Sequence, residues 1–523
     1  TDSVTGGTST NAGSTVQFLN DGNTPNVNLA INRPQDFCDN NPAICSQFYA
    51  VGSLNVPGSI FTVPYSAGST RTTGGNPVDD FKTPGAVSHA TSSQVGTTFG
   101  LAYRRSSRTL FAAAFMKKHA KFGPGGTGAI YQLDRSTGAV SEYANLNTIF
   151  GPATAGANPH DTSDYDHDNG QETWNAVGKV AFGGMAINDS ETMLYTMNLA
   201  NRTLYEIPAT VTPTSGNIRT SAFPTLMPGC INASDVRPFS VSFYDGLIWV
   251  GAVCSGDATD SAADLKAYVY TVDPATLAFS GPVLQTPLNY DRQETDPGYT
   301  ADWQAWTTSY ASVSTGHHIY PQPMLTDIDF DRGNMIISLR DRNGDQTGYY
   351  NASDPNLPND YSRKGITAGD ILRACGDPST GWAMESNGRC GGIGGAPQGT
   401  NEGPGGGEYY FQENYHPNGT PHDEVSLGAA HQIPGHNVMV ATIFDPAYIP
   451  NDDIFDVVGF RWFVNATGAQ NRGYQAFGVN DFGKANGLGN VTALCEAAPI
   501  EIGNRAWRDL NNNGVQDPGE PGI

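Results

Sequence analysis

Oxygen-bearing side chains recur at fixed intervals near the end of the 523-residue sequence. Residues 509–520 read Asp-Leu-Asn-Asn-Asn-Gly-Val-Gln-Asp-Pro-Gly-Glu. They place Asp509, Asn511, Asn513, Asp517 and Glu520 at loop positions 1, 3, 5, 9 and 12, and Gly514 at position 6. That is the spacing of a calcium loop. Calcium is a hard cation that takes about six to eight oxygens. Three come from Asp509, Asn511 and Asn513, and a fourth from the Val515 carbonyl. Asp517 binds directly or through water, Glu520 chelates with both oxygens, and Gly514 permits the sharp turn. The pattern predicts Ca2+ as cofactor; the alternative is an Asn/Asp/Gly-rich turn without metal.

Other oxygen clusters match less fully. Asp164, Asp166 and Asp168 alternate within 161–170, where a cation would relieve their repulsion, but Gly170 falls one place late for a hand-type loop. The alternative there is a solvated acidic loop. His160 and His167 would add nitrogen ligands and tilt such a site toward a transition metal. Asp341, Asn343 and Asp345 offer oxygens at alternate positions after a strand, either for calcium or for a turn that caps its own backbone. Asp327, Asp329 and Asp331 share one face of a strand and would form a polar or cation site if that face lined a channel. The sequence contains no G-x-S-x-G, no H-E-x-x-H and no Walker-type loop. His317, His318, His431 and His436 have no supporting pattern, so no catalytic residue is assigned. The run Glu408–Pro417 is rich in aromatics, which either stack on sugars or a protein partner when exposed, or pack within their own loop.

These residues need a scaffold, and the chain repeats one. Across 1–480 an alternating strand, a turn, a second apolar strand and a Gly-x-Ile/Leu-Tyr/Phe strand recur. The clearest copy is Gly100–Arg104, Thr109–Phe115 and Gly128–Asp134. Others begin near Gly184, Phe239, Thr326 and Gly428, and an N-terminal copy shows only its later strands. Antiparallel units repeated above about 40 residues mark a β-propeller, of about six blades or seven. The incomplete first copy predicts that the chain ends share one blade, for example 14–19 with strands near 460 or 474. Paired β-sandwiches are the alternative, but they leave the recurring phrase unexplained. Insertions at 145–178, 284–322, 342–368 and 376–423 exceed about 15 residues and are expected to carry function. Residues 481–500 read as a linker, and 501–523 as the beginning of a second module.

The segment Gly503–Gly522 resembles the opening of the SdrD B-like domain, the calcium-binding, Ig-like stalk module of bacterial surface adhesins. The resemblance covers about the last twenty residues and implies a truncated β-sandwich after the propeller. Stretches around Gly100–Tyr131 and Pro323–Gln346 look, more loosely, like the N-terminal region of large bacterial proteins that carry such repeats. They imply a cell-surface or filament protein.

Composition agrees with an all-β extracellular protein. Sixty-two Gly and 34 Pro against 15% charged residues favour short strands and turns. A net charge of −23 argues against nucleic-acid partners. No apolar stretch reaches the roughly eighteen residues of a membrane span, so no direct membrane insertion is expected. Seven cysteines without C-x-x-C suggest local disulfides in an oxidising compartment. Sequence proximity pairs Cys38 with Cys45, Cys230 with Cys254 and Cys375 with Cys390, and leaves Cys495 over.

The expected function is a non-enzymatic structural or adhesive surface protein, with a propeller head on a calcium-stiffened stalk. It would self-associate into a layer or filament, or bind protein or glycan partners of the cell surface or matrix. The alternative is a secreted propeller hydrolase or lyase acting on polysaccharide. Its mark would be perturbed carboxylates or histidines beside a roomy pocket.

Overall fold

Apolar strands separated by tight turns pair with their sequence neighbours, and the computed structural model arranges them in six four-stranded antiparallel sheets. It describes residues 3–6, 29–32, 34–52, 56–70, 81–160, 170–308, 316–351, 353–354, 359–394, 401–415, 421–447, 456–478 and 482–497. The chain divides into two units. One comprises Thr1–Asn40 with Cys495–Ile523, and the other is Asn41–Leu494. In the first, Ser3–Gly6 pairs antiparallel with Leu29–Asn32, and a disulfide joins Cys38 to Cys495. The second is a six-blade β-propeller.

Five blades are built from consecutive strands. The first holds Thr98–Arg104, Thr109–Ala114, Ala129–Asp134 and Val140–Asn145; the next begins at Phe182 and the third at Val236. The fourth comprises Pro323–Asp331, Asn334–Asp341, Asp370–Asp377 and Gly381–Met384. The fifth comprises Ser426–Gln432, Val438–Phe444, Val458–Val464 and Gln470–Phe477. The sixth closes the ring: Leu488–Leu494 pairs with Ala43–Phe48, followed by Pro57–Pro64 and Val87–Thr91.

The shared closing blade agrees with the expectation, but its partners differ. The late strand is Leu488–Leu494, from the stretch read as a linker, and the strand around 474 belongs to the fifth blade. Gly and Asn at 487, 489 and 490 hide the apolar alternation of this strand. Residues 14–19 lie outside the described residues, as does the whole of 501–523.

A blade buries its faces only against its neighbours, so central strands read as continuous apolar runs. All seven residues of Val438–Phe444 are buried. Between the two inner strands of every blade the ladder register shifts, as between Phe182 and Met185 or Leu325 and Asp327. Glycine occupies some of these bulges, Gly100 and Gly183 among them, where inner strands of adjacent blades approach backbone to backbone. A Cβ on Gly183 would lie 2.4 Å from the Phe239 carbonyl oxygen, and one on Gly100 2.7 Å from that of Gly183.

Disulfides join Cys230–Cys254 and Cys375–Cys390 as expected, whereas the first proximity pair is wrong. Cys38 takes Cys495 across 457 residues, and Cys45 is a free, buried thiol that burial pushes up to about 12. Cys45 lies in a blade core with Ile60 and Leu494.

Candidate metal centre and the cleft beside it

Residues 341–347 follow the second strand of the fourth blade and form a plug reached by segments of several blades. Asp341 caps the short helix Arg342–Gln346, its carboxylate accepting from the Asn343 N–H at 2.8 Å. It also accepts from the N–H groups of Gln322 and Ala368. Burial nevertheless raises its proton affinity to about 7, because desolvation outweighs those bonds. Asp345 forms a two-pronged pair with Arg340, at 2.6 and 2.7 Å. Arg340 also donates to the Leu427 and Leu488 carbonyls and lies over the Phe99 ring at 5.4 Å. Lys117 donates to the Gly344 carbonyl at 2.8 Å, and Arg342 to that of Val177 at 2.9 Å. The Asp341 and Asp345 carboxylates are answered by protein donors, as in the capping alternative for this stretch, whereas Asn343 Oδ1 is buried without a hydrogen-bond partner.

Asp164, Asp166, Asp168 and His167 lie outside the described residues, as do Asp509, Asn511, Asn513, Val515, Asp517 and Glu520. Asp327, Asp329 and Asp331 lie on the inner strand of the fourth blade and bind three different partners. Asp327 accepts from the Ala430 N–H, Asp329 pairs with His431 at 2.8 Å, and Asp331 pairs with Arg373 at 2.6 Å. His436 packs on Tyr65, and His160 on Phe122. The aromatics of 408–417 are not exposed: Tyr409, Tyr410 and Tyr415 are all buried. They pack inward against the fifth blade, with Tyr409 donating to the Asn465 carbonyl and Tyr410 packed on Phe463.

That burial carries acids inside with it. Asp370, Glu408, Glu413 and Glu424 present carboxylate oxygens that all lie within 4.8 Å of one another. None of the four is more than 2% exposed. Asp370 opens the third strand of the fourth blade, Glu424 precedes the inner strand of the fifth, and the 376–423 insertion supplies Glu408 and Glu413. The Cys375–Cys390 disulfide fastens the base of that insertion. The 284–322 insertion adds the other wall. Tyr290 donates to Asp370 at 2.5 Å, and Arg292 stacks on Trp303 at 3.8 Å.

Arg292 is the cation of the cluster, but most of its hydrogen bonds go elsewhere. Its terminal nitrogens donate to the Ala301, Ala368 and Gly369 carbonyls. Only Nε faces the acids, 3.2 Å from Glu424 and 3.4 Å from Asp370. Burial works against its charge, yet Glu424 and Asp370 outweigh burial and hold it above the usual guanidinium range. Burial, and then the neighbouring acids, push Glu408 and Glu413 well above the carboxylate range. Burial does the same to Glu424. Glu413 is steadied by the Ile371 N–H at 2.9 Å. Glu408 Oε1, Glu413 Oε2 and Glu424 Oε2 are buried without a hydrogen-bond partner.

The same two insertions also supply part of the lining of a cavity of about 210 Å3. Asp296 holds His317 through Nδ1 at 2.7 Å. His422 accepts from Lys484 at 2.7 Å and donates to the Thr295 carbonyl. Lys484, Lys364 and the Tyr349 hydroxyl converge on Asp456. Burial first, then Lys484, lower His422 to about 4, so it stays neutral near pH 7. The long insertions stood out in the sequence, but these acids did not. Their separations of 38, 5 and 11 residues match no metal motif, and 408–417 draws attention for its aromatics.

No family model matches the chain. Among curated proteins it is similar to three colossins of Dictyostelium discoideum. Colossin-A is 30% identical over 82% of this chain and 4% of its own length, Colossin-B 29% over 95% and 12%, and Colossin-C 28% over 83% and 41%. The chain thus spans less than half the length of these relatives. They come from a eukaryote, so the bacterial affiliation and the SdrD B-like module rest on sequence resemblance alone. Among solved structures, a chain of a nidogen/laminin complex superposes with a TM-score of 0.40 at 7% identity, covering 87% of this chain and 99% of that one. A putative 6-phosphogluconolactonase from Bacteroides uniformis gives 0.35 at 12% identity, covering 87% and 100%.

Proposed function

We propose that the chain acts outside the cell as a structural or adhesive head: a disulfide-braced propeller carried on calcium-stiffened, SdrD B-like modules. The observation that carries this reading is the set of three disulfides, which persist in oxidising compartments. Similarity to proteins far longer than this chain, such as Colossin-A, fits a module within a larger assembly. No helix among the described residues is long and apolar enough to cross a membrane. Calcium at Asp509–Glu520 would stiffen the junction after the propeller, and the partners would be further copies of the chain or surface and matrix proteins or glycans. In the native producer, the chain should be open to added protease on intact cells or in the medium, and non-reducing peptide maps should contain all three disulfides. Recovery from the cytosol with reduced thiols would sink the proposal.

A second reading, a secreted hydrolase or lyase acting on polysaccharide, is favoured by His317, which Asp296 orients on the wall of the cleft. Turnover of a polysaccharide panel that disappears in His317→Ala would establish it.

A further inference from the structure

We propose that Asp370, Glu408, Glu413 and Glu424 form a calcium site within the propeller, distinct from the terminal loop. The inference stands on these side chains and does not require the adhesive reading.

Geometry is the first support. Calcium–oxygen distances of about 2.3–2.6 Å put two ligands on opposite sides of one ion at most about 5 Å apart. The four acids offer oxygens within 4.8 Å of one another, a spacing that suits a single cation among them. Hydrogen bonding is the second. Glu408 Oε1, Glu413 Oε2 and Glu424 Oε2 are unpartnered, on side chains no more than 2% exposed. Buried polar atoms are normally satisfied, and an orphaned one implies an ion, a water or a proton at the site.

Charge is the third. One guanidinium edge stands against four carboxylates, and Glu402 adds to the negative field at Glu408 and Glu424. Such a cluster persists in a protein interior only if it holds protons or a cation. The donor set chooses the ion. It is all oxygen, without the imidazole or thiolate that zinc and copper favour. Magnesium keeps several waters and binds few protein carboxylates, whereas calcium accepts a crowded carboxylate cage. A bound ion would tie the 376–423 insertion, through Glu408 and Glu413, to the fourth blade at Asp370 and the entry to the fifth at Glu424.

The test is a calcium titration of the metal-stripped full chain carrying Asp509→Asn and Glu520→Gln, which disable the terminal loop. The proposal expects calcium binding to remain, with one ion per chain lost when Glu408→Gln and Glu413→Gln are added. It expects magnesium to bind at least about tenfold more weakly, the geometry disfavouring the smaller ion. If the added pair prevents folding, Tb3+ provides a second readout on the terminal-loop variant. Excitation of Trp303 and Tyr290 should sensitise its emission, and Glu424→Gln should abolish it. A folded terminal-loop variant that binds no calcium, or a calcium count that quartet substitutions leave unchanged, overturns the proposal and leaves shared protons in the cluster. Failure of the terminal loop to bind calcium in the unmodified chain would count against the stalk reading alone.

Discussion

The plug at 341–347 and the quartet at Asp370, Glu408, Glu413 and Glu424 both bury acids, yet only one answers them. In the plug, Asp345 has both prongs of Arg340, and Asp341 has three backbone N–H donors. In the quartet, one edge of Arg292 serves two acids and three carboxylate oxygens have no partner. In the first, both carboxylates are held by protein donors. The second calls for a proton or a cation, so burial of acids alone does not distinguish a structural feature from a site. Accounting for every lone pair does.

The largest expected effect breaks the plug. Asp345→Asn leaves the Arg340 charge buried without its partner and should cost about 3–5 kcal/mol, read from denaturant unfolding. A loss below about 1 kcal/mol would place this pair among ordinary exposed ion pairs. Next comes the disulfide at the base of the quartet's insertion. Opening Cys375–Cys390, a 15-residue separation, by Ala substitution should cost about 3 kcal/mol through the freed unfolded chain. It should also weaken calcium binding, whereas the plug, outside that loop, should keep its response to Asp345→Asn.

Acid should act on the plug's surroundings through His318, whose carbonyl accepts from Asn343. Burial first, then Arg363, lower this histidine from 6.5 to about 3. A depressed folded value means that its contribution is complete above pH 6.5 and is lost as pH falls toward 3. The unfolded chain takes up the proton first. From pH 6.5 to 5 the loss should reach up to about 2 kcal/mol, and His318→Gln should flatten that slope in unfolding experiments across this range. The smallest effect sharpens the contrast most. In chelator, Glu413→Gln should change stability by no more than about 1 kcal/mol, since it removes one of several crowded acids. The same acid-to-amide change is severe at Asp345.

Much of the fold was legible because propeller blades repeat. Gly-Ile-Tyr strands and apolar second strands announced about six blades, with seven open, and a closing blade shared by both chain ends. The closing strand itself was missed, since Gly489, Asn490 and Thr492 interrupt the apolar pattern of Leu488–Leu494 and make it resemble a linker. The Cys38–Cys495 pair was missed for a related reason: sequence proximity cannot foresee a contact across 457 residues. The quartet was illegible because three separate segments build it. In the sequence Glu408 and Glu413 flank aromatics that read either as an exposed stacking loop or as a loop packed on itself. Burial of Tyr409, Tyr410 and Tyr415 turns that loop inward and takes the acids with it. At 341–347 the oxygen spacing was real, but the partners that decide its meaning, Arg340 and the backbone of 322 and 368, could not be read from it.

The most direct measurement is a crystal structure of the full chain grown in calcium, with anomalous data to identify the ion. The account predicts one cation bound by Asp370, Glu408, Glu413 and Glu424 at about 2.3–2.6 Å. Carboxyl groups hydrogen-bonded to one another in saturating calcium, with no ion among them, would contradict it.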